Sequence, residues 1–169
     1  MLLHDCANKN ALEIELPILG PKVLYQAAIE GRDRMRQAVL GIAEAISCGS
    51  GISEMLQNEA CQSIIAALGV GVQLDPDIPL NLQSLRYGRL IVGTDQSPAG
   101  CQIQGEVLRF LLTYMRQVLE SGCVYVLDPV LEIGWDQGEF ENQVLRPDKR
   151  QIRVVTPAEA LDTTLGDLS

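Results

Sequence analysis

The sequence predicts an α/β domain in which helices flank a parallel sheet, followed by a small carboxyl-terminal extension. Two almost wholly apolar runs, 89–94 and 123–127, have the composition of strands that are buried on both faces of a parallel sheet. The segment between them has apolar residues at helical spacing, and it supplies the crossover that a parallel pair of strands requires. With 169 residues, 47% of them hydrophobic and 21% charged, the chain has the size and composition of one globular domain.

The first quarter of the chain predicts a strand and then a helix. Residues 11–19 alternate apolar and polar side chains, which predicts a strand with one buried face that ends at the following Gly-Pro pair. Residues 22–30 have apolar positions at helical spacing and are followed by Gly31, a typical helix terminus. Residues 35–46 are apolar and fit either a strand or a helix.

The middle of the chain predicts a capped helix and a long loop. Asn58 is a suitable N-cap for a helix over 59–68, and Gly69 is placed to end it. Residues 73–84 contain closely spaced Asp and Pro, so we expect a loop there.

The central crossover helix has strong local signals at both ends. Ser97 and Pro98 supply an N-cap and a favoured first residue for a helix that runs to Ser121, with Gly122 after it. The residues of its predicted buried stripe are Ile103, Val107, Phe110, Leu111, Tyr114 and Val118, and those expected to face water are Glu106, Arg109, Thr113, Arg116 and Glu120. Asp95 follows the strand 89–94, at the carboxyl edge of the sheet, where ligands bind in such folds.

The last part of the chain is more polar than the rest. We therefore divide the chain into a domain over 11–131 and an extension over 132–169. Within the extension, 151–155 has strand composition and a helix is expected to begin near Thr156.

Charge and cysteine content exclude several classes of function. Thirteen Lys and Arg against 22 Asp and Glu give a net charge of -9, which disfavours nonspecific binding to DNA phosphates. Five cysteines without a CxxC pair, together with one histidine, predict buried reduced thiols rather than a zinc site. The absence of a signal-like or membrane-length apolar segment predicts a cytoplasmic protein without membrane contact.

Several short motifs follow one another along the chain. They are Gly31-Arg32-Asp33-Arg34, Ala66-Ala67-Leu68-Gly69-Val70-Gly71, Leu85-Arg86-Tyr87, Thr94-Asp95, Ile103 and Gly122-Cys123-Val124-Tyr125-Val126. This order resembles the Toprim domain of type II topoisomerase B subunits, the gyrase and topoisomerase IV group. The segments 149–154, 158–160 and 165–167 also resemble the end of those subunits. The resemblance implies a Toprim-like, Rossmann-like fold and covers the carboxyl half of such a protein, without its ATPase and transducer half.

The same resemblance implies that most carboxylates of the family's metal site are missing. The family's turn contains Asp-x-Asp-x-Asp-Gly, and the matching positions here are Asp95, Ser97, Ala99 and Gly100. The family's glutamate at the end of the first strand falls on Gly20. Because Mg²⁺ needs carboxylates and phosphates in octahedral geometry, we expect Asp95 to be a vestigial metal ligand, with no catalytic residue and no cofactor. An Asp beside a helix N-terminus is also stabilised by the helix dipole without any metal.

The resemblance therefore implies a standalone, catalytically degenerate homologue that acts by protein contact. The suspected partner is a gyrase or topoisomerase IV subunit, and contact with DNA is expected to be weak or indirect. One alternative is a metal-dependent DNA-processing enzyme, or a component of a split topoisomerase, whose Mg²⁺ site is completed by another chain. Another is a structural module, such as a homodimer, unrelated to DNA.

Two pairs of residues are candidates for contact with a phosphate or a partner. Arg32 and Arg34 fall in a motif of the resemblance, although with Asp33 between them they also fit a solvated ion-pair cluster. Trp135 and Phe140 lie in the polar extension, where exposed aromatic side chains can anchor a partner or pack back onto the domain.

Overall fold

The computed structural model describes residues 2–20, 22–46, 51–95, 97–127 and 152–166, with side chains as far as residue 162. Within these ranges six strands form one sheet: β1 Leu3–His4, β2 Glu15–Gly20, β3 Val39–Gly41, β4 Arg89–Thr94, β5 Val124–Leu127 and β6 Ile152–Val154. The helices described there are α1 Lys22–Gly31, α2 Ile52–Gln57, α3 Glu59–Leu68, α4 Pro98–Tyr114, α5 Arg116–Glu120 and α6 Pro157–Gly166. Short 3₁₀ turns occupy Ala11–Glu13 and Leu82–Ser84.

The sheet has the order β1-β3-β2-β4-β5-β6, and its four central strands are parallel. The predicted α/β class with a Rossmann-like arrangement is therefore confirmed. The sheet is mixed, however, since β1 and β6 pair antiparallel with their neighbours at the two edges. Antiparallel edge strands need no crossover helix, so the short segments outside the crossover units can still extend the sheet. The extension supplies β6 and α6, and α6 contacts α4.

Helices cover both faces of the sheet. α1 packs on one face with Leu19, Ile91 and Leu127, whereas α3, α4 and α5 pack on the other with Leu16 and Val92. Alternate residues of β2 and β4 therefore enter different cores, as expected for central parallel strands. The prediction that 89–94 is buried on both faces is confirmed.

The prediction for 11–19 was wrong in two respects. The strand begins only at Glu15, after a 3₁₀ turn in which Leu12 is 91% exposed. All six residues of β2 are also buried, rather than those of one face. The alternation in the sequence is misleading because Glu15 is a buried polar residue, and its carboxylate accepts a hydrogen bond from Gln37 Nε2 at 2.8 Å.

The helix ends that carry local signals occur where they were predicted. Asn58 caps α3 by accepting a hydrogen bond from the Cys61 N–H at 3.0 Å, and Gly69 follows the helix with a φ of 77°. Ser97 caps α4 in the same way, by accepting from the Gly100 N–H at 3.0 Å. The ambiguous stretch 35–46 contains β3.

The predicted single crossover helix is divided at Met115, whose φ of -139° and ψ of 39° interrupt it. The Tyr114 carbonyl group accepts a hydrogen bond from the Gln73 N–H at 2.7 Å, from the loop that precedes β4. Apolar spacing does not reveal the break, because Met115, Val118 and Leu119 are all buried beyond it.

Two expectations from composition, buried cysteines and the absence of a membrane-spanning segment, can be compared with the described residues. Cys6 and Cys61 are buried, as expected, but Cys101 is exposed on α4 and Cys123 is half-buried. None of the helices in the described ranges has the length and hydropathy needed to cross a membrane.

Candidate functional site

The carboxyl ends of β2 and β4 lie side by side, because the two strands are parallel neighbours with Gly20 opposite Thr94. This arrangement puts residue 20 and Asp95 at adjacent strand ends, on the edge where ligands collect in such sheets. The two positions that the resemblance assigns to the metal site thus belong to one place in the fold.

The space beside Gly20 is filled by neighbouring atoms. A Cβ atom at residue 20 would lie 3.1 Å from both Cδ1 and Cγ2 of Ile103 and 3.2 Å from the Ile42 carbonyl oxygen. Ile103 projects from α4 and is packed against the main core. Because Gly20 does not have a positive φ, packing rather than backbone conformation restricts this position.

The Asp95 carboxylate belongs to the N-terminal cap of α4. Its Oδ1 atom accepts a hydrogen bond from the Ser97 N–H at 3.2 Å and a short one from the Ser97 hydroxyl group. A Cβ atom at residue 100 would overlap Asp95, so Gly100 permits this close approach. The helix dipole favours a negative charge at this end. Asp95 is half-buried, and its local contacts account for its place without a metal ion.

Among the described residues of this edge, carboxylates are not grouped as a Mg²⁺ site requires. Across the described part of the chain, no three His, Cys, Asp or Glu side chains are grouped so that they could hold a metal ion. Glu15 cannot replace the missing glutamate, because it begins β2 whereas Gly20 ends it, a separation of about 16 Å at the rise of an extended strand. Glu15 instead lines a cavity of about 310 Å³ at the amino-terminal ends of the parallel strands.

The two arginines of the Gly31-Arg32-Asp33-Arg34 motif have different surroundings. Arg32 Nη1 lies within hydrogen-bond distance of three backbone carbonyl oxygens, those of Gln37 at 2.6 Å, Asp5 at 2.9 Å and His4 at 3.1 Å. Arg32 thus joins the end of α1 to the segments around β1 and β3. Arg34 is exposed. Contact of either side chain with a phosphate or a partner stays a prediction.

The predicted aromatic anchors lie outside the described residues. Trp135 and Phe140 both fall in 128–151, between β5 and β6, so their role in binding a partner also stays a prediction.

A cluster of polar side chains around Asp5 was not predicted from the sequence. The Asp5 carboxylate pairs with the Arg86 guanidinium and accepts a hydrogen bond from the hydroxyl group of buried Tyr87 at 3.0 Å. Burial raises the pKa of Asp5, but hydrogen bonds from Cys6 N–H and Tyr87, with the charge of Arg86, outweigh it and hold the pKa below its ordinary value. Burial and the bond to Asp5 raise the pKa of Tyr87.

The only sequence signal for this cluster was the Leu85-Arg86-Tyr87 motif. Asp5 lies about eighty residues earlier in the chain, so nothing local connects the partners. The cluster fastens the amino-terminal segment to the start of β4.

Comparisons with known proteins give relatives but no family model, since none matches the chain. The relatives are DNA gyrase B subunits. That of Thermus thermophilus is 35% identical over 131 residues, which cover 76% of this chain and 21% of the relative. That of Archaeoglobus fulgidus is 37% identical over 131 residues, which cover 76% of this chain and 20% of the relative. That of Halalkalibacterium halodurans is 30% identical over an alignment of 183 residues, which covers 96% of this chain and 28% of the relative.

The chain therefore spans between a fifth and about a quarter of the length of these curated relatives. Their similarity agrees with the motif order found in the sequence. The chain carries a region homologous to part of the DNA gyrase B subunits.

Proposed function

We propose that this chain is a catalytically degenerate relative of the Toprim region of topoisomerase B subunits, and that it acts by contact with a gyrase or topoisomerase IV subunit. The observation that carries the proposal is at residue 20, the position to which the resemblance assigns the family's glutamate and at which this chain has Gly20. Ile103 and the Ile42 carbonyl group leave no room there for a longer side chain without rearrangement.

The turn after β4 supports the same proposal. Residues 95–100 contain one acid, Asp95, and its Oδ1 atom is engaged by Ser97. Metal-assisted cleavage of DNA needs ions held firmly against both the attacking and the leaving oxygen atoms. A single carboxylate that is already hydrogen-bonded to the capping residue Ser97 is a poor ligand set for that purpose.

The preserved scaffold favours a role in binding. The sheet, both hydrophobic cores and the caps of α3 and α4 are well formed although the acids are replaced. A net charge of -9 disfavours direct contact with DNA and favours a protein surface rich in Lys and Arg. A subunit that binds DNA phosphates would carry such a surface.

The test is to measure binding of the purified chain to the gyrase and topoisomerase IV subunits of the same organism, together with its effect on supercoiling. We expect binding to at least one of them and a dose-dependent change in supercoiling. The matched variant is Asp95→Asn, which keeps an oxygen acceptor for Ser97 and removes the charge. Its effect should equal that of the unmodified chain. Absence of both binding and any change in supercoiling would refute the proposal.

A second candidate is a DNA-processing enzyme whose Mg²⁺ site is completed by acids from another chain. It is favoured by the place of Asp95, half-buried at the carboxyl edge directly after β4 and beside the end of β2. In that case Asp95→Asn should abolish Mg²⁺-dependent relaxation or cleavage of DNA by the completed assembly.

A further inference from the structure

The loop between α3 and the Leu82–Ser84 turn holds two apolar side chains in solvent. Leu74 is 55% exposed and Ile78 is 64% exposed. Between them lie Asp75, Pro76 and Asp77, all exposed. We call this segment the 74–78 turn. Leu74 and Ile78 are thus two exposed apolar residues four positions apart on one exposed segment, and apolar surface of this kind can contact another molecule.

The 74–78 turn is fixed by its own hydrogen bonds. The Ile78 N–H donates to the Asp75 carbonyl group at 3.1 Å, and the Asp77 N–H donates to Asp75 Oδ1 at 2.9 Å. Asp at the first position and Pro at the second favour such a turn. The Gln73 side-chain amide also donates to the carbonyl groups of Pro76 at 3.2 Å and Ile78 at 3.1 Å.

Hydrogen bonds also attach both flanks of the turn to the break between α4 and α5. On one side the Gln73 N–H donates to the Tyr114 carbonyl group at 2.7 Å. On the other the Leu80 N–H donates to Gln117 Oε1 at 2.8 Å. The segment is therefore ordered without burying Leu74 or Ile78. Little backbone freedom therefore remains to be lost when this segment binds a partner.

We propose that the 74–78 turn is a docking element that places Leu74 and Ile78 in an apolar cleft of a partner protein. Asp75 and Asp77 would face Lys or Arg residues at the rim of that cleft. The partner's charge is inferred by complementarity, since two exposed carboxylates lie between the two apolar residues on a chain of net charge -9. The same carboxylates would repel nucleic-acid phosphates and anionic lipids. This inference rests on the proposed function, which makes the partner one of the topoisomerase subunits.

The test compares the affinity of the unmodified chain for each of the topoisomerase subunits with that of the double variant Leu74→Ser/Ile78→Ser. Loss of two apolar anchors should weaken binding about tenfold or more. The matched control is Val23→Ser on α1, a 71% exposed apolar residue outside the turn, which should bind as the unmodified chain does. Because all three side chains are exposed, the variants should fold, and circular dichroism checks this.

The predicted basic rim is tested separately with Asp75→Asn/Asp77→Asn. Asparagine keeps the Oδ1 acceptor at residue 75, so the turn is preserved while its charges are removed. Binding should weaken and depend less steeply on salt concentration than binding of the unmodified chain. An unchanged salt dependence would overturn the assignment of a basic partner surface.

The outcomes separate this inference from the function on which it rests. If the unmodified chain binds one of the subunits and the Leu74→Ser/Ile78→Ser variant binds equally well, the docking role of the turn is refuted while the proposed function stands. If the unmodified chain binds none of the subunits, both are refuted. Binding that is lost in the turn variants and retained in Val23→Ser supports both.

Discussion

Replacement of Gly20 by alanine tests whether Ile103 closes the position to which the resemblance assigns the family's glutamate. The new Cβ atom would lie 3.1 Å from two carbon atoms of Ile103, inside the optimal separation of about 3.5–4.0 Å. Extra atoms in a packed core cost about 1–3 kcal/mol. Alanine also reduces the conformational entropy of the unfolded chain, which stabilises the folded state by about 0.4–1 kcal/mol. The net expectation is a loss of about 1 kcal/mol in the free energy of unfolding.

The assay is urea denaturation of four proteins: the unmodified chain, Gly20→Ala, Ile103→Ala and the double variant. Shortening Ile103 removes its two close contacts and leaves the one to the Ile42 carbonyl oxygen at 3.2 Å, so Gly20→Ala should cost little in that background. The expected coupling between the two substitutions is about 1 kcal/mol, within the range for residues in contact. Gly20→Glu in the unmodified background should cost more, about 3 kcal/mol, because it also brings a carboxylate into a buried site.

Equal effects of Gly20→Ala in the two backgrounds would refute this reasoning. In that case Ile103 would not be the group that restricts residue 20.

Three further predictions concern local structure and pH. Asn58→Ala should lower the free energy of unfolding by about 1 kcal/mol because the α3 cap is lost. The midpoint of urea denaturation should fall accordingly, and an unchanged midpoint would contradict the prediction. Gly100→Ala should lower the melting temperature because its Cβ atom would overlap Asp95, and an unchanged melting temperature would show that the cap tolerates the overlap. Asp5→Asn should be less stable than the unmodified chain at neutral pH. Because the folded-state pKa of Asp5 is lowered, this stabilisation is complete above the ordinary value of 3.8 and is lost as the pH falls through the folded-state pKa. A stability difference that persists in stronger acid would contradict it.

Local features of the sequence were sufficient to predict the ends of several helices and strands. Asn58 and Gly69 delimit α3, and Ser97 with Pro98 begins α4, because capping depends on side chains within a few residues of the helix end. The strand at 89–94 was predictable for a similar reason, since a continuous apolar run is compatible with burial on both faces.

Features that depend on distant partners could not be predicted in this way. Glu106 was expected to face water, but its carboxylate accepts a hydrogen bond from the Ile46 N–H at 2.7 Å, from a residue 60 positions away. The break at Met115 is similarly coupled to a loop hydrogen bond from Gln73. Neither contact leaves a trace in hydrophobic periodicity.

The candidate site also combines a feature that the sequence implied with one that depends on distant packing. The resemblance assigned residue 20 and Asp95 to one metal site, and the pairing of β2 with β4, which hydrophobic patterns did not predict, places them at adjacent strand ends. The closure of residue 20 by Ile103 was not predictable, because it depends on how α4 packs across the sheet.

Titration of the purified chain with Mg²⁺, in the presence of supercoiled DNA, tests most directly whether the metal site has been lost. Calorimetry follows ion binding, and gel electrophoresis of the same samples follows DNA relaxation and cleavage. We predict no difference in Mg²⁺ binding between the unmodified chain and Asp95→Asn, and no change in DNA topology with either. Saturable Mg²⁺ binding that is lost in Asp95→Asn, accompanied by relaxation or cleavage with the unmodified chain, would contradict a degenerate site.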